Sequence, residues 1–149
     1  MKIIVDTNVI FSAILSSSGK IGQILIFGGN TFEFYAPNLV KTEVKRHRDK
    51  LIQMSELSDD DFDDIRDDIY SCITFISEEQ IPYDYWHNAI PFVRETDMDD
   101  IAFVVLAEYL DAQLWTGDKK LLKGLINMGF MKGMTTDDIY HLLQSSDSK

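Results

Sequence analysis

Short apolar segments alternate with amphipathic helical patterns along the whole chain. The run Ile3-Ile4-Val5 lies at one end and AQLWT, at 112–116, lies near the other; each is followed by apolar residues at helical spacing. Neighbouring parallel strands need long, usually helical connections, so this alternation favours a parallel sheet. We therefore predict an α/β protein whose sheet is covered by helices on both faces.

The predicted elements follow one another without an obvious domain break. A chain of 149 residues has the length of one domain, and we predict a single domain over 1–149. The expected strands are 2–6, 32–36, 72–77 and 112–116, and the ambiguous segment 128–134 offers a last edge strand. The expected helices begin near residue 8 and then cover 20–28, 38–54, 59–70, 84–95, 98–111, 118–127 and 136–144.

Composition and charge exclude several classes of protein. The formal net charge of −11 argues against a general nucleic-acid coat, because such a surface is normally basic. The apolar run at 101–107 is too short to span a bilayer, so we expect no membrane association. Met1 and Lys2 lead directly into the first strand, so we expect no signal peptide and a cytoplasmic location. The single cysteine, Cys72, is expected to be buried and inert in the third strand.

An acidic helical segment at about 55–70 contains seven aspartates between residues 58 and 68. We interpret it as a solvated amphipathic helix with Ser58 as its N-cap and aspartates in the first turn. A calcium loop would need a glycine and a distal glutamate at fixed spacing, and this segment has neither. The residues expected to face the core are Phe62, Ile65 and Ile69.

Four acidic residues occupy positions where a ligand site is expected. Asp6 ends the first strand, Asp118 follows the fourth strand, and Asp100 opens a very apolar helix. Ligands of open α/β sheets bind beyond the carboxyl ends of the strands, so Asp6 and Asp118 should emerge at the same edge. Glu43 lies one position from an apolar stripe and therefore at the rim of its helix's buried face. That stripe is Val40, Val44, His47, Leu51 and Met54.

Each of these acids also has an ordinary structural explanation. Asp118 is placed to cap the helix that begins at Lys119, and Glu43 alone would be a surface glutamate. Thr7 or Asn8 is the preferred cap of the first helix. First-turn acids that answer a helix dipole would account for Asp97, Asp99 and Asp100.

The conjunction of the four acids argues for a cation site. Clustered carboxylates repel one another unless a positive charge lies among them. Oxygen ligands suit a hard divalent cation such as Mg²⁺ or Mn²⁺, which can activate water for attack on a phosphodiester. One cysteine and three scattered histidines offer no ligand spacing for zinc.

These residues resemble those of the PIN domain, and more narrowly the bacterial and archaeal PIN proteins that include toxin ribonucleases of toxin–antitoxin pairs. The resemblance rests on IIVDTNVIFSAIL, on VKTEVKRH and on DMDDIAFVVLAEYLDAQLWTGDKKLL, and it extends from residue 1 to about 143. It implies a three-layer α/β/α fold with a central, mostly parallel sheet. The implied activity is endonucleolytic cleavage of RNA that depends on one or two Mg²⁺ or Mn²⁺ ions.

The resemblance assigns roles position by position. It implies that the catalytic, metal-binding carboxylates are Asp6, Glu43, Asp100 and Asp118. The polar residues that would support them are Thr7, Asn8, Asp97 and Thr116. The segment TDMDD offers three acids where the pattern needs one; Asp100 fits best, and whether Asp97 or Asp99 joins it stays open.

Basic residues adjoin two of the four acids. Eight of the fourteen cationic residues flank Glu43 or follow Asp118, where they would hold an RNA backbone over the pocket. A pair of ordinary solvated helix faces would give the same pattern. The residues expected to contact RNA are Lys45, Arg46, Lys119 and Lys120.

We therefore predict a metal-dependent endoribonuclease that is the toxin of a toxin–antitoxin pair and is restrained by a small antitoxin protein. The alternative is a PIN-fold module that binds RNA or a protein without cutting. A phosphorylation-responsive receiver domain is disfavoured, because Ser77 and Glu78 stand where its phosphate-accepting aspartate would end the third strand. Formation of a homodimer is an expectation from the family.

Overall fold

A five-stranded sheet forms the centre of the protein. The computed structural model describes residues 1–147. Its strands are β1 (Lys2–Val5), β2 (Glu33–Pro37), β3 (Ile73–Ile76), β4 (Gln113–Trp115) and β5 (Gly133–Met134). Their order is β3-β2-β1-β4-β5, and every neighbouring pair is parallel. The predicted α/β class with a three-layer α/β/α arrangement is confirmed, as is the edge strand within 128–134.

Helices connect the strands and cover the sheet. Short 3₁₀ turns lie at Gly28–Asn30, Glu78–Gln80 and Met98–Asp100. The α-helices are α1 (Thr7–Leu15), α2 (Lys20–Phe27), α3 (Leu39–Arg46), α4 (Arg48–Ser55), α5 (Asp59–Ser71), α6 (Tyr83–Val93), α7 (Ile101–Leu110), α8 (Lys119–Asn127) and α9 (Thr136–Asp147).

Burial explains why β1 and α7 are so apolar. Ile3, Ile4 and Val5 have no exposed surface, since β1 is the middle strand and is covered on both faces. In α7 the whole run 102–107 is buried, and this helix packs against β1, β2, β4 and α6. A helix that is apolar all round must be surrounded by protein, so α7 is an inner helix of the core.

The predicted helix over 38–54 is wrong in one respect, because the structure has two helices there. The backbone leaves helical geometry at His47, and α4 begins at the next residue. From this break onward the predicted apolar stripe faces the core only at Leu51, which is buried. His47 is exposed, and Met54 is 59% exposed. His47 instead makes an edge contact with the ring of Phe11.

Two smaller expectations are also corrected. Cys72 is only half-buried, because α5 continues to Ser71 and the cysteine caps its end, outside β3. The N-cap of α1 is Asp6, while Thr7 is already helical. At α5 the expectation is confirmed: the Ser58 hydroxyl accepts a hydrogen bond from the amide of Asp61 at 3.1 Å.

The hydrophobic patterning of the helices bears on membrane association. Within residues 1–147 no single helix is long and apolar enough to cross a membrane. One bent pair, Thr7–Leu15 with Lys20–Asn30, would be long and apolar enough by length and composition alone.

Candidate active site

Thr116 links two of the predicted acids at the carboxyl edge of the sheet. β1 and β4 are neighbours, with Val5 paired to Trp115, so the residues that follow them emerge side by side. The Thr116 hydroxyl donates to Asp6 Oδ2 at 2.7 Å and accepts from the amide of Asp118 at 3.0 Å. Because the amide can only donate, the hydroxyl proton must point at Asp6. Asp6 and Asp118 therefore lie at the same edge of the sheet, as predicted, and Thr116 joins the side chain of Asp6 to the backbone amide of Asp118.

The Asp6 carboxylate is buried at the bottom of this edge. Its residue is 4% exposed, and its neighbours Thr7 and Thr116 are buried with it. Burial raises the pKa of Asp6, and the charge of Asp118 adds to that, whereas the Thr116 hydroxyl and the amides of Thr7 and Asn8 lower it. Asp6 forms no ion pair within residues 1–147. A buried carboxylate without a cationic partner is costly, which is typical of a ligand site.

Asp118 caps a helix, which is the alternative to ligand binding that the sequence also suggests. Its Oδ1 accepts from the amide of Leu121 at 3.0 Å and so caps α8. The carboxylate is half-buried, and its other oxygen, Oδ2, makes no hydrogen bond within the described part of the chain. Capping and ligand binding are therefore compatible at this residue.

Glu43 approaches from α3, beside Thr7. Burial raises the pKa of Glu43, as does the charge of Asp6, while Thr7, Arg46 and His47 lower it. The Thr7 hydroxyl is itself buried and makes no hydrogen bond of ordinary geometry within residues 1–147. A buried hydroxyl whose contact with Glu43 falls short of an ordinary hydrogen bond suits a site that gains a ligand, because polar groups poorly paired in the interior cost stability.

The TDMDD segment forms a capped 3₁₀ turn that presents Asp100. The Asp97 carboxylate accepts from the amide of Asp99 at 2.9 Å and thereby starts the turn. Burial, together with the charges of four other carboxylates, raises the pKa of Asp100 to about 7. Those four are Asp6, Asp97, Asp118 and Glu43.

Three of the four predicted metal-binding acids line two separate cavities, whereas Asp6 lines neither of them. One, of about 240 Å³, is lined by Asp97, Asp100, Asp118 and Lys120, together with Thr96 and Leu121. The other, of about 590 Å³, is lined by Glu43, Arg46 and Asp99. The five remaining residues around the larger cavity are Asn38, Leu39, Thr42, His47 and Glu78. Asp97 thus lies on the side of Asp100, and Asp99 lies on the side of Glu43.

The acids lie near one another without being gathered. Within residues 1–147 no set of three Asp, Glu, His or Cys side chains is arranged closely enough to hold a metal ion. The donor set nevertheless consists of carboxylate and hydroxyl oxygens, which are the ligands that Mg²⁺ and Mn²⁺ prefer. The chemistry of the residues therefore fits a hard dication, and their side chains would have to converge to bind it.

Glu78 is a residue of this edge that sequence reasoning missed as part of the site. It follows β3 as Asp6 follows β1, and its Oε1 accepts from the amide of Leu39 at 3.0 Å, at the start of α3. The rule that places ligands beyond strand ends, applied to the third strand, would have found it.

The predicted RNA contacts are exposed and scattered around these cavities. Lys119 lines a third cavity of about 190 Å³ formed with Thr116 and Gly117. Lys45 lines a fourth, of about 400 Å³, on α3. Asn8, predicted as a supporting residue, is exposed and faces Asp6 only through its backbone amide.

The protein is thus a three-layer α/β/α domain with buried and half-buried acids at the carboxyl edge of its sheet. Residues 4–142 match the family model described as PIN domain. The chain belongs to the PIN domain family.

Among solved structures, the fold is similar to a chain in the crystal structure of VapBC2 from Rickettsia felis bound to a DNA fragment from their promoter. The TM-score is 0.69 over 91% of this chain and 98% of that chain, with 14% identity. At that identity the similarity shows the fold alone. No curated protein matches the chain.

Proposed function

We propose that this PIN domain is a metal-dependent endoribonuclease. The observation that carries the proposal is the buried Asp6 carboxylate, which faces further acids from α3, from the turn before α7 and from the cap of α8. None of Asp6, Glu43, Asp100 and Asp118 has an ion pair within residues 1–147. Mutually repelling carboxylates that form no ion pair with the described residues call for a cation from solution.

Asp6, Glu43, Asp100 and Asp118 would hold Mg²⁺ or Mn²⁺, which supplies water activation and charge neutralisation on a phosphodiester. The chain's other residues prepare these ligands. The Thr116 hydroxyl fixes the rotamer of Asp6 and favours its ionised form, since it donates to the charged carboxylate. Asp97 holds the turn that presents Asp100. Arg46 and Lys120, each lining one of the two acidic cavities, would contact phosphates of the RNA backbone.

Cleavage of an RNA panel in Mn²⁺ tests this proposal. We expect the wild-type protein to cut. Asp6→Asn and Asp118→Asn should lose on the order of a hundredfold in rate, since even the loss of a residue that supports a metal ligand typically costs about 10–100-fold. Asparagine keeps the helix cap at position 118, so the loss there would not reflect unfolding. Asp64→Asn, an exposed aspartate of α5, is the matched control and should cut like the wild type. Equal activity in all four proteins would contradict the proposal.

The same proposal includes a toxin's biology. The similar fold belongs to a crystal structure of VapBC2, and we expect this chain likewise to be restrained by a small antitoxin protein. Expression of the chain alone should arrest growth, and co-expression of a short neighbouring gene should relieve the arrest. A cytoplasmic location and a homodimer are further parts of the proposal. Normal growth on expression of active protein would contradict the toxin role but not the nuclease activity.

A non-cleaving binding module is the second candidate. It is favoured by the spread of the acids, which are not gathered to ligand distance within residues 1–147. Calorimetry separates the two candidates: binding of Mn²⁺ that Asp6→Asn abolishes, with no cleavage of any RNA in the panel, would favour the module.

A further inference from the structure

Helix α3 separates two cavities of opposite chemical character. Thr42, Glu43 and Arg46 line the larger, acid-bearing cavity. Lys41, Val44 and Lys45 line a cavity of about 400 Å³ on the other side of the helix, against α5. Residues spaced by three and four positions share a helix face, so these two sets point in roughly opposite directions. The second cavity, with Arg48, Arg66, Phe62 and Tyr70 as further walls, is called the basic groove below.

The basic groove concentrates positive charge in a protein that is otherwise strongly acidic. It gathers four of the fourteen cationic residues, although the net charge of the chain is −11. Arg66 is the single cationic residue between positions 55 and 71, and it lines this groove, where one acid, Asp67, also lies. The acidic helix thus contributes its only cation to the same place as α3.

The two arginines of the groove are fixed in position. Arg48 is ion-paired with Asp63, and its guanidinium lies 4.9 Å from the centroid of the Phe62 ring. Arg66 pairs with Asp63 and Asp67, both at 3.1 Å. A guanidinium has five N–H donors in a rigid fork, so these pairs leave donors available for a ligand.

The two lysines of the groove have no acidic partner among the residues that the structure describes. Lys41 and Lys45 form no ion pair within residues 1–147. The Lys41 ammonium lies 4.3 Å from the centroid of Phe75 and 6.0 Å from that of Tyr70, which holds it over aromatic rings at the groove wall. Burial raises the pKa of Tyr70 to about 12, so its hydroxyl stays neutral and able to donate.

These features suit a phosphodiester. Arginine forks and lysine ammonium groups are the usual partners of phosphate oxygens, and a neutral phenol adds a donor without repelling the anion. An α-helix is about 10 Å across, so one strand of RNA lying over α3 reaches both the basic groove and the cavity that holds Glu43. In such an arrangement the cavity lined by Glu43 would be the site of cleavage, and the basic groove would be a separate site that binds the RNA.

We infer that the basic groove binds the phosphate backbone of a single-stranded RNA on nucleotides flanking those held beside Glu43. The inference rests on the proposed function for the identity of its ligand, whereas the groove itself is a feature of the fold. The groove recognises the charge of the phosphate backbone and not the bases, so it should bind RNA with little sequence preference.

Fluorescence anisotropy of a labelled single-stranded RNA, in EDTA so that no cleavage occurs, tests the inference. The variant Lys41→Met/Lys45→Gln keeps the stem of residue 41 on its aromatic neighbours while removing two charges. We expect its binding to weaken about tenfold at low salt, with the slope of log affinity against log salt smaller by about 1.4, at roughly 0.7 per lost phosphate contact. Lys45→Gln alone, at an exposed position, should weaken binding about threefold and reduce the salt slope by about 0.7. Lys2→Gln, at an exposed position at the start of β1 and so at the opposite edge of the sheet from the acids, is the control and should bind like the wild type.

Three results would overturn the inference. One is equal affinity and salt slope for the wild type and the double variant. A second is a loss of affinity in Lys2→Gln equal to that in the double variant. The third is displacement of the RNA by an oligoglutamate peptide that binds more tightly, which would assign the groove to an acidic partner protein. If the wild type cleaved RNA in Mn²⁺ but the double variant showed unaltered anisotropy, the groove inference would be wrong and the nuclease proposal would stand. If the double variant bound RNA more weakly but the wild type cleaved no RNA, the groove inference would stand and the nuclease proposal would be wrong.

Discussion

The Thr116 hydroxyl donates a hydrogen bond of 2.7 Å to the Asp6 carboxylate, and the amide of Asp118 fixes the direction of that proton. Two residues 110 positions apart in sequence thus form one unit at the junction of β1 and β4. The unit is buried, with Asp6 4% and Thr116 2% exposed. We regard it as the fixed part of the candidate site, around which the other acids are arranged.

Replacement of Thr116 by valine should damage both stability and activity. Valine has the shape of threonine without its hydroxyl, so Asp6 loses a donor and the amide of Asp118 loses its acceptor. Leaving such groups unpaired in the interior costs about 1–3 kcal/mol of unfolding free energy. Urea unfolding and RNA cleavage in Mn²⁺ measure the two effects. Thr116→Ser keeps the hydroxyl and should retain most of both; if valine behaved like serine, the hydrogen bond would have no role.

Asp118 should show separate structural and functional effects. Asp118→Ala removes the side chain that accepts from Leu121 and should cost about 1 kcal/mol in unfolding free energy, as loss of an N-cap does. Asp118→Asn retains an N-cap and should leave stability nearly unchanged, yet both variants should lose cleavage. Thermal unfolding and activity, measured on the same samples, give the comparison. An active asparagine variant would reduce Asp118 to a helix cap.

The acid cluster should make the metal-free protein less stable as pH rises. The pKa of Asp100 is about 7 in the folded protein and ordinarily 3.8, so between these values the folded state holds a proton that the unfolded state has released. Stability is then present at pH 4 and is lost as pH approaches and passes 7. The raised pKa values of Asp6 and Glu43 act in the same direction.

Thermal unfolding in EDTA from pH 4 to pH 8 measures this dependence. Asp100→Asn should unfold at a higher temperature than the wild type at pH 8 and at about the same temperature at pH 4. Addition of Mn²⁺ at pH 8 should restore stability to the wild type more than to the variant. A wild type whose stability rises steadily from pH 4 to pH 8 in EDTA would contradict the electrostatic description of the cluster.

Gly124 should set how closely α8 approaches the segment that carries Asp100. A Cβ at this position would lie 2.1 Å from Cγ2 of Thr96, which directly precedes Asp97. Alanine favours helix over glycine by about 1 kcal/mol, so the sign of the effect reports the contact. We expect Gly124→Ala to lower the melting temperature, and Gly124→Ala/Thr96→Ser, which removes the obstructing methyl group, to raise it. Stabilisation by Gly124→Ala alone would mean that the contact relaxes without cost.

Much of the fold follows from local patterns in the sequence. The β-branched run before Asp6 and the apolar segment after Asp100 identify a covered strand and an inner helix, since each needs protein on every side. The shared edge of Asp6 and Asp118 follows from parallel pairing of their strands. These inferences hold because they depend on burial and chain direction, which a sequence encodes strongly.

The break at His47 and the separate directions of Asp97 and Asp99 were beyond such reasoning, whereas the strand-end rule would have reached Glu78. Nothing in the sequence marks His47 as a helix end, because no glycine or proline stands there, so the break reflects how α4 packs rather than a local preference. The separate positions of Asp97 and Asp99 depend on a single capped turn, in which neighbouring residues point to different cavities. Side-chain direction in a short turn is set by tertiary contacts.

A crystal soaked in Mn²⁺ would show whether these acids bind a metal ion, because anomalous scattering locates the ion without reference to activity. We expect an anomalous peak at the carboxyl edge of the sheet, with oxygens of Asp6 and of at least two among Glu43, Asp100 and Asp118 as its ligands. An absent peak, or one bound elsewhere while these carboxylates keep apart, would contradict that expectation.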